Sequence, residues 1–193
     1  MIKNGSHSKG ESEESLIWEL ILSKMAEWKK GDLPMFQIGD RIVYPMHGAG
    51  IIRAVEEKAI LGEKQSCYIL KIAYSNMDVM IPVSSAEKVG MREIGKPEDV
   101  EQLFSYIKDY TYNTTDSWNK RYRENLDKIR SGDMKQIAEV LKYLMYREEK
   151  KPLSSGEKKM LQQAKQILYS EIVLIKDISQ EETEAMFKEC IGL

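Results

Sequence analysis

Trp118, Lys120, Arg121 and Arg123 stand together in Asp116-Ser117-Trp118-Asn119-Lys120-Arg121-Tyr122-Arg123, a large flat aromatic beside a run of cations. Such an aromatic can wedge against or stack on an unstacked base while Lys and Arg neutralise the flanking phosphates. Lys128 and Arg130 extend the positive character along the same stretch. The competing reading is a helix start whose Trp caps a small helical core and whose charges face solvent. A second basic stretch, Leu153-Ser154-Ser155-Gly156-Glu157-Lys158-Lys159-Met160, is followed by Lys165. A helix N-terminus with adjacent Lys suits a phosphate, and the alternative is a well-capped solvated helix. Two basic helix starts in one small region favour DNA.

Catalytic chemistry has much less to stand on. No nucleophile has a His in a recognisable motif, and there is neither a P-loop nor a dinucleotide fingerprint. Gly48-Ala49-Gly50 follows a strand pattern and precedes another, so it reads as a glycine bend and not a phosphate turn. His7 and His47 are isolated, and Cys67 and Cys190 are too far apart for metal-ligand spacing. We expect no catalytic residues, no metal, no cofactor and no small-molecule substrate. The two cysteines read as reduced thiols of a cytoplasmic protein.

The elements that must position the basic stretches come from the whole chain. Its 193 residues suffice for one ordinary domain or two small ones, and 42% hydrophobic with 31% charged residues fits a globular chain. The net charge of −2 hides an uneven distribution, because the tail with Asp177, Glu181, Glu182, Glu184 and Glu189 is acidic. No apolar run approaches membrane-spanning length, so no membrane contact is expected.

Residues 1–34 look foreign to the rest of the chain. Lys29-Lys30-Gly31-Asp32 can be encoded by a run containing a bacterial ribosome-binding sequence, ahead of Met35. We read 1–34 as a leader or extension; the alternative is a short helix from Ser15 to Lys29. Residues 35–93 read as β: Arg41-Ile42-Val43-Tyr44, Ile51 to Val55, the alternating Tyr68 to Ala73, and Val79 to Val83. Pro82 marks an edge strand. Short strands with tight turns predict a small SH3- or Tudor-like barrel, which usually offers an edge or groove to a partner. Residues 94–193 read as helices. Pro97 opens the first, with Val100, Leu103, Phe104 and Ile107 on one face. Asp116 or Ser117 can cap the next, which should bury Tyr122, Leu126 and Ile129 and stop at Gly132. Asp133 with Gln136, and Ser154 with Glu157, have capping-box spacing. A last short helix runs from Ser179 to about Cys190. The fold class is segregated α+β, a small barrel followed by a compact helical domain.

These motifs resemble a known family. Phe36-Gln37-Ile38-Gly39-Asp40, Val43-Tyr44-Pro45-Met46-His47-Gly48-Ala49-Gly50, Trp118 to Arg123 with Asn125-Leu126, and Leu153 to Met160 with Ala164-Lys165-Gln166-Ile167-Leu168 look like the CarD (CdnL) bacterial transcription regulators. The likeness covers Met35 to about Leu193. It implies an amino-terminal module similar to the polymerase-interacting part of transcription-repair coupling factor, docking on the RNA polymerase β subunit. It also implies a helical domain that reaches promoter DNA at the upstream edge of the bubble and stabilises the open complex. Trp118 would then wedge into the minor groove, with Lys120, Arg121 and Arg123 as phosphate contacts and Lys158, Lys159 and Lys165 behind them. The polymerase contact would fall near Lys58 and Met80, where some relatives carry an Arg in place of Met80. A non-DNA-binding protein–protein adaptor is the runner-up.

Overall fold

The computed structural model describes residues 35–60, 62–75, 77–112 and 117–193, with the side chain of Trp118 outside the description. The leader reading and the Asp116 cap fall outside these residues. Met35–Leu193 form one compact unit.

Among the described residues five strands make an antiparallel sheet: β1 (Arg41–Tyr44), β2 (Gly48–Ile60), β3 (Glu63–Ile72), β4 (Asp78–Pro82) and β5 (Arg92–Glu93). Their order is β4-β3-β2-β1-β5, so β4 is an edge strand, as Pro82 predicts. Alternation sets the faces. Tyr68, Leu70 and Ile72 are buried with Ile81, while Ile69 and Lys71 lie on the other face beside Met80 and Asp78. A register shift between Ile52 and Ala54 bulges the long β2 strand.

The expected bend at Gly48-Ala49-Gly50 is instead strand, paired with Tyr44, Val43 and Ile42. The turn lies before it, where Met46 adopts φ 69°. These glycines are needed for close approach. A Cβ on Gly48, whose φ is 103°, would sit 2.5 Å from Ser170 Oγ, and one on Gly50 would sit 2.3 Å from the Lys71 carbonyl oxygen.

Five helices follow among the described residues: α1 (Pro97–Asp109), α2 (Trp118–Arg130), α3 (Met134–Lys150), α4 (Ser155–Lys176) and α5 (Gln180–Ile191). Two of the expected caps form, at Asp133 and Ser154, whereas the Ser117 side chain makes no cap bond. Asp133 accepts from the Gln136 amide, and Ser154 with Glu157 and Ser179 with Glu182 form reciprocal boxes. The helices share one core in which Leu103, Ile107, Ile137, Leu141, Ala164, Leu168 and Phe187 are buried. Ile129 is fully covered, but Tyr122 and Leu126 are only partly so.

The sheet and the helices meet along α4. Ser170 Oγ accepts from the Ala49 amide at 2.7 Å, and Gln166 donates to the His47 carbonyl at 2.8 Å. Arg41 donates to the Leu174 carbonyl, and Leu174 packs with Val43 and Ala49. From the start of α5, Gln180 donates to the carbonyls of Ala73 and Tyr74 at 3.1 and 2.8 Å.

Candidate functional site

Helix α2 begins at Trp118 with Ser117 as its N-cap residue; the Ser117 side chain makes no cap bond and no acidic residue stands in the first turn. The first turns of α1, α4 and α5, by contrast, each carry acidic residues. Helical periodicity then separates the cations. Lys120 and Arg123 are exposed, whereas Arg121 is half-buried and its Nε donates to the Tyr143 hydroxyl at 3.0 Å. Arg121 thus ties α2 to α3. The outer face is also mixed in sign, with Lys120 3.8 Å from Glu124 and Arg130 3.5 Å from Asp127.

The two basic helix starts come together. A Cβ added at Gly156, in the first turn of α4, would lie 3.3 Å from the Tyr122 ring, one turn beyond Trp118 on α2. Between them is a cavity of about 10 Å³, the size of a single water, lined by Arg121, Tyr122, Asn125, Tyr143, Glu157 and Met160. Lys158 and Lys159 are exposed beside this junction.

The amides at the start of α4 are already engaged. Glu157 Oε2 accepts from the Ser154 amide and hydroxyl at 2.9 and 2.7 Å, while Ser154 Oγ accepts from the Glu157 amide. Glu157 Oε1 lies 2.8 Å from Arg147 Nε on α3. A phosphate approaching this helix would therefore meet the Lys158 and Lys159 ammonium groups, because the capping carboxylate occupies the N-terminus. Sequence spacing identifies the box; it does not identify Arg147 as the partner of the carboxylate.

Lys165 lies further along α4 and turns toward α5. Its ammonium is half-buried, 3.0 Å from Glu184, which Lys188 also approaches at 3.0 Å. Burial alone would raise the Glu184 carboxyl, but the hydrogen bonds from Lys165 and Lys188 outweigh it and hold it below the ordinary 4.5. A carboxylate depressed in this way contributes stability above its unfolded value, lost as pH falls through the folded value. Lys165→Met should therefore flatten the acid limb of the melting-temperature profile below the ordinary glutamate value of 4.5, by under about 1 kcal/mol for this part-exposed pair. An acid limb identical to wild type would show that the pair contributes no pH-dependent stability.

A second, shallower hollow of about 110 Å³ lies between the end of α1, α2 and α3, with Tyr110, Tyr112 and Tyr143 among its walls. Lys128 crosses it to Glu139 at 2.6 Å. Tyr106 donates to the same carboxylate, and that hydrogen bond pushes the Tyr106 hydroxyl up to about 12. Tyr106, Tyr110, Lys128 and Glu139 are thus linked to one another, giving a braced wall.

On the sheet, Ala54, Ile69 and Met80 stand side by side, and Lys58, four residues further along β2, projects on the same face. Met80 is 48% exposed on the edge strand, with Ile51 also exposed on that face. Lys58 is 2.7 Å from Glu56, whose hydrogen bond and charge raise its pKa. Among the described residues no group of three or more His, Cys, Asp or Glu side chains is placed to hold a metal ion. No helix among them is long and apolar enough to cross a membrane.

Two family models match successive parts of the chain. Residues 36–95 match the family described as "CarD-like/TRCF RID domain", and residues 102–188 match "CarD, C-terminal domain". The chain is 42% identical over 154 residues to "Putative transcription factor YdeB" of Bacillus subtilis (strain 168), an alignment covering 78% of this chain and 99% of that protein.

Proposed function

The chain belongs to the CarD-like family of transcription regulators, and from that premise we propose that it acts by holding RNA polymerase and promoter DNA at once. Residues 35–93 are the polymerase module and 94–193 the DNA module of this reading. The β subunit docks on the β4 edge and the face carrying Met80 and Lys58. An edge strand offers unpaired backbone groups to an incoming strand, and the exposed Met and Ile side chains supply adaptable apolar area. The helices reach the upstream edge of the transcription bubble, with Trp118 as the wedge in the minor groove. Lys120 and Arg123 contact phosphates, joined by Lys158 and Lys159 across the Tyr122–Gly156 junction. Arg121 braces the wedge helix and Lys165 stands behind. The protein works in the cytoplasm, without a cofactor and without chemistry of its own.

The observation that carries this reading is that junction, since it sets two basic helix starts side by side next to Trp118. A wedge that binds the melted junction better than duplex shifts the closed-to-open equilibrium by its differential affinity. A preference of about 1.4 kcal/mol changes that equilibrium about tenfold. A protein–protein adaptor is the second reading, favoured by the ion pairs of Lys120 and Arg130 that partly neutralise the α2 face.

The test is the lifetime of open complexes formed by the cognate polymerase and challenged with competitor DNA. Wild-type protein should prolong it, and Trp118→Ala should return it to the value without factor. If neither protein changes the lifetime while the sheet still binds the β subunit, the adaptor reading replaces this one.

A further inference from the structure

The connection from sheet to helices is Ile94-Gly95-Lys96, between β5 and α1. A short link through a glycine is where two modules would ordinarily swing. Here it is held. Glu171, on the face of α4 that meets the sheet, is 2% exposed and accepts three hydrogen bonds. Two come from the Arg92 guanidinium on β5, at 2.7 and 3.0 Å, in the parallel fork that fixes geometry as well as charge. The third is from the Gly95 amide at 3.1 Å. One buried carboxylate thus grips the last strand and the link together.

We propose that Arg92 and Glu171 are positioning residues that set the angle between the polymerase-binding sheet and the DNA-binding helices. This rests on the function proposed above and adds a requirement to it. A protein engaging two fixed partners gains from the second contact only if its geometry permits both at once. A flexible link would spread the helices over many orientations, few of them at the bubble edge. The clasp on the edge strand β5, together with Ser170 on Ala49 and Gln180 on Ala73 and Tyr74 farther across the sheet, selects one. Neither residue need touch polymerase or DNA.

The experiment pairs a distance measurement with the open-complex assay on the full chain. Labels at the exposed positions Glu63 on the sheet and Glu149 on α3 report the angle by pulsed electron resonance. Arg92→Ala is the main variant, because the Arg92 side chain is 42% exposed and its loss leaves the helical core intact. Glu171→Gln removes the charge from the other side, and Arg92→Lys keeps the charge without the fork.

Wild type should give one narrow distance distribution. In Arg92→Ala and Glu171→Gln the distribution should broaden, and the prolonged lifetime should fall by about tenfold, with Arg92→Lys between. Affinities for a β-subunit fragment and for forked DNA, each measured alone, should stay within about twofold of wild type. That separation distinguishes positioning from loss of folding, which would weaken the separate affinities as well. A distribution that stays narrow in Arg92→Ala overturns the proposal, as does a broadened one with the lifetime retained. If wild type itself fails to prolong the lifetime, the function reading fails and the label distances alone decide whether the clasp sets the angle.

Discussion

Lys142→Met should lower stability by about 3 kcal/mol, a fall in melting temperature of about 6–12 °C for a unit of this size. Lys142 sits on α3 between Leu141 and Tyr143 and is only 6% exposed. Its ammonium donates to the carbonyls of Ile107, Lys108 and Tyr110 at 2.6, 3.1 and 2.8 Å. These acceptors lie at the end of α1, where the last carbonyls of a helix have no partner in the helix itself. A cation there also meets the negative end of the helix dipole. Methionine keeps most of the side-chain volume, so the loss isolates the polar contribution from the packing. Each buried carbonyl left unsatisfied costs about 1–3 kcal/mol, while the variant is spared the cost of burying an ammonium. The difference leaves a net loss. Thermal unfolding followed by circular dichroism measures it, and a change below about 1 kcal/mol would mean that water takes over the bonds. The effect should also reach the site, because α1 ends at Asp109 and the chain then runs past Tyr110 and Tyr112 toward Trp118.

The second large effect is at Gly48. Gly48→Val should cost about 3–5 kcal/mol, or prevent the sheet and helices from docking in their native arrangement. Two costs combine. The φ of 103° is strained for any residue with a Cβ and worse for a β-branched one. The added Cβ would also meet Ser170 Oγ at 2.5 Å and the Gln166 backbone oxygen at 3.0 Å. Ser170 has little room to yield, since its hydroxyl accepts from Ala49 and donates to the Ile167 carbonyl at 2.9 Å. Gly39 supplies the internal control. Its φ is 97°, yet nothing lies within 4 Å of a Cβ there. Gly39→Val should therefore show the backbone cost alone. Equal losses at the two positions would mean that the approach of α4 contributes nothing, and a larger loss at Gly48 measures the contact.

Several features are legible in the residues themselves. Strand alternation in Tyr68 to Ile72, the apolar stripes of the helices and the Ser154–Glu157 box all report local regularities. A side chain's period fixes its face, and a cap's partner lies three residues away. The edge position of Pro82 follows from its missing amide hydrogen. The motifs around Trp118 and Gly48 suffice to place the chain in its family.

Other features depend on groups far apart in sequence. Lys142 reads as a surface residue on any hydropathy scale, yet its acceptors lie 32 to 35 residues earlier. Arg92 and Glu171 are 79 residues apart, and Ala49 and Ser170 are 121 apart. Arg121 belongs by type with Lys120 and Arg123, but helical geometry turns it inward to Tyr143. The glycines at 48 and 50 read as a bend because sequence shows their conformational freedom and not the Ser170 and Lys71 atoms that press on them. The sequence by itself therefore determined which elements form and which faces they bury, because those choices rest on propensity and period within a few residues. Only the tertiary structure decided which polar groups meet and how the sheet is set against the helices, because a buried charge or a close backbone approach is settled by a partner that chain folding brings from elsewhere.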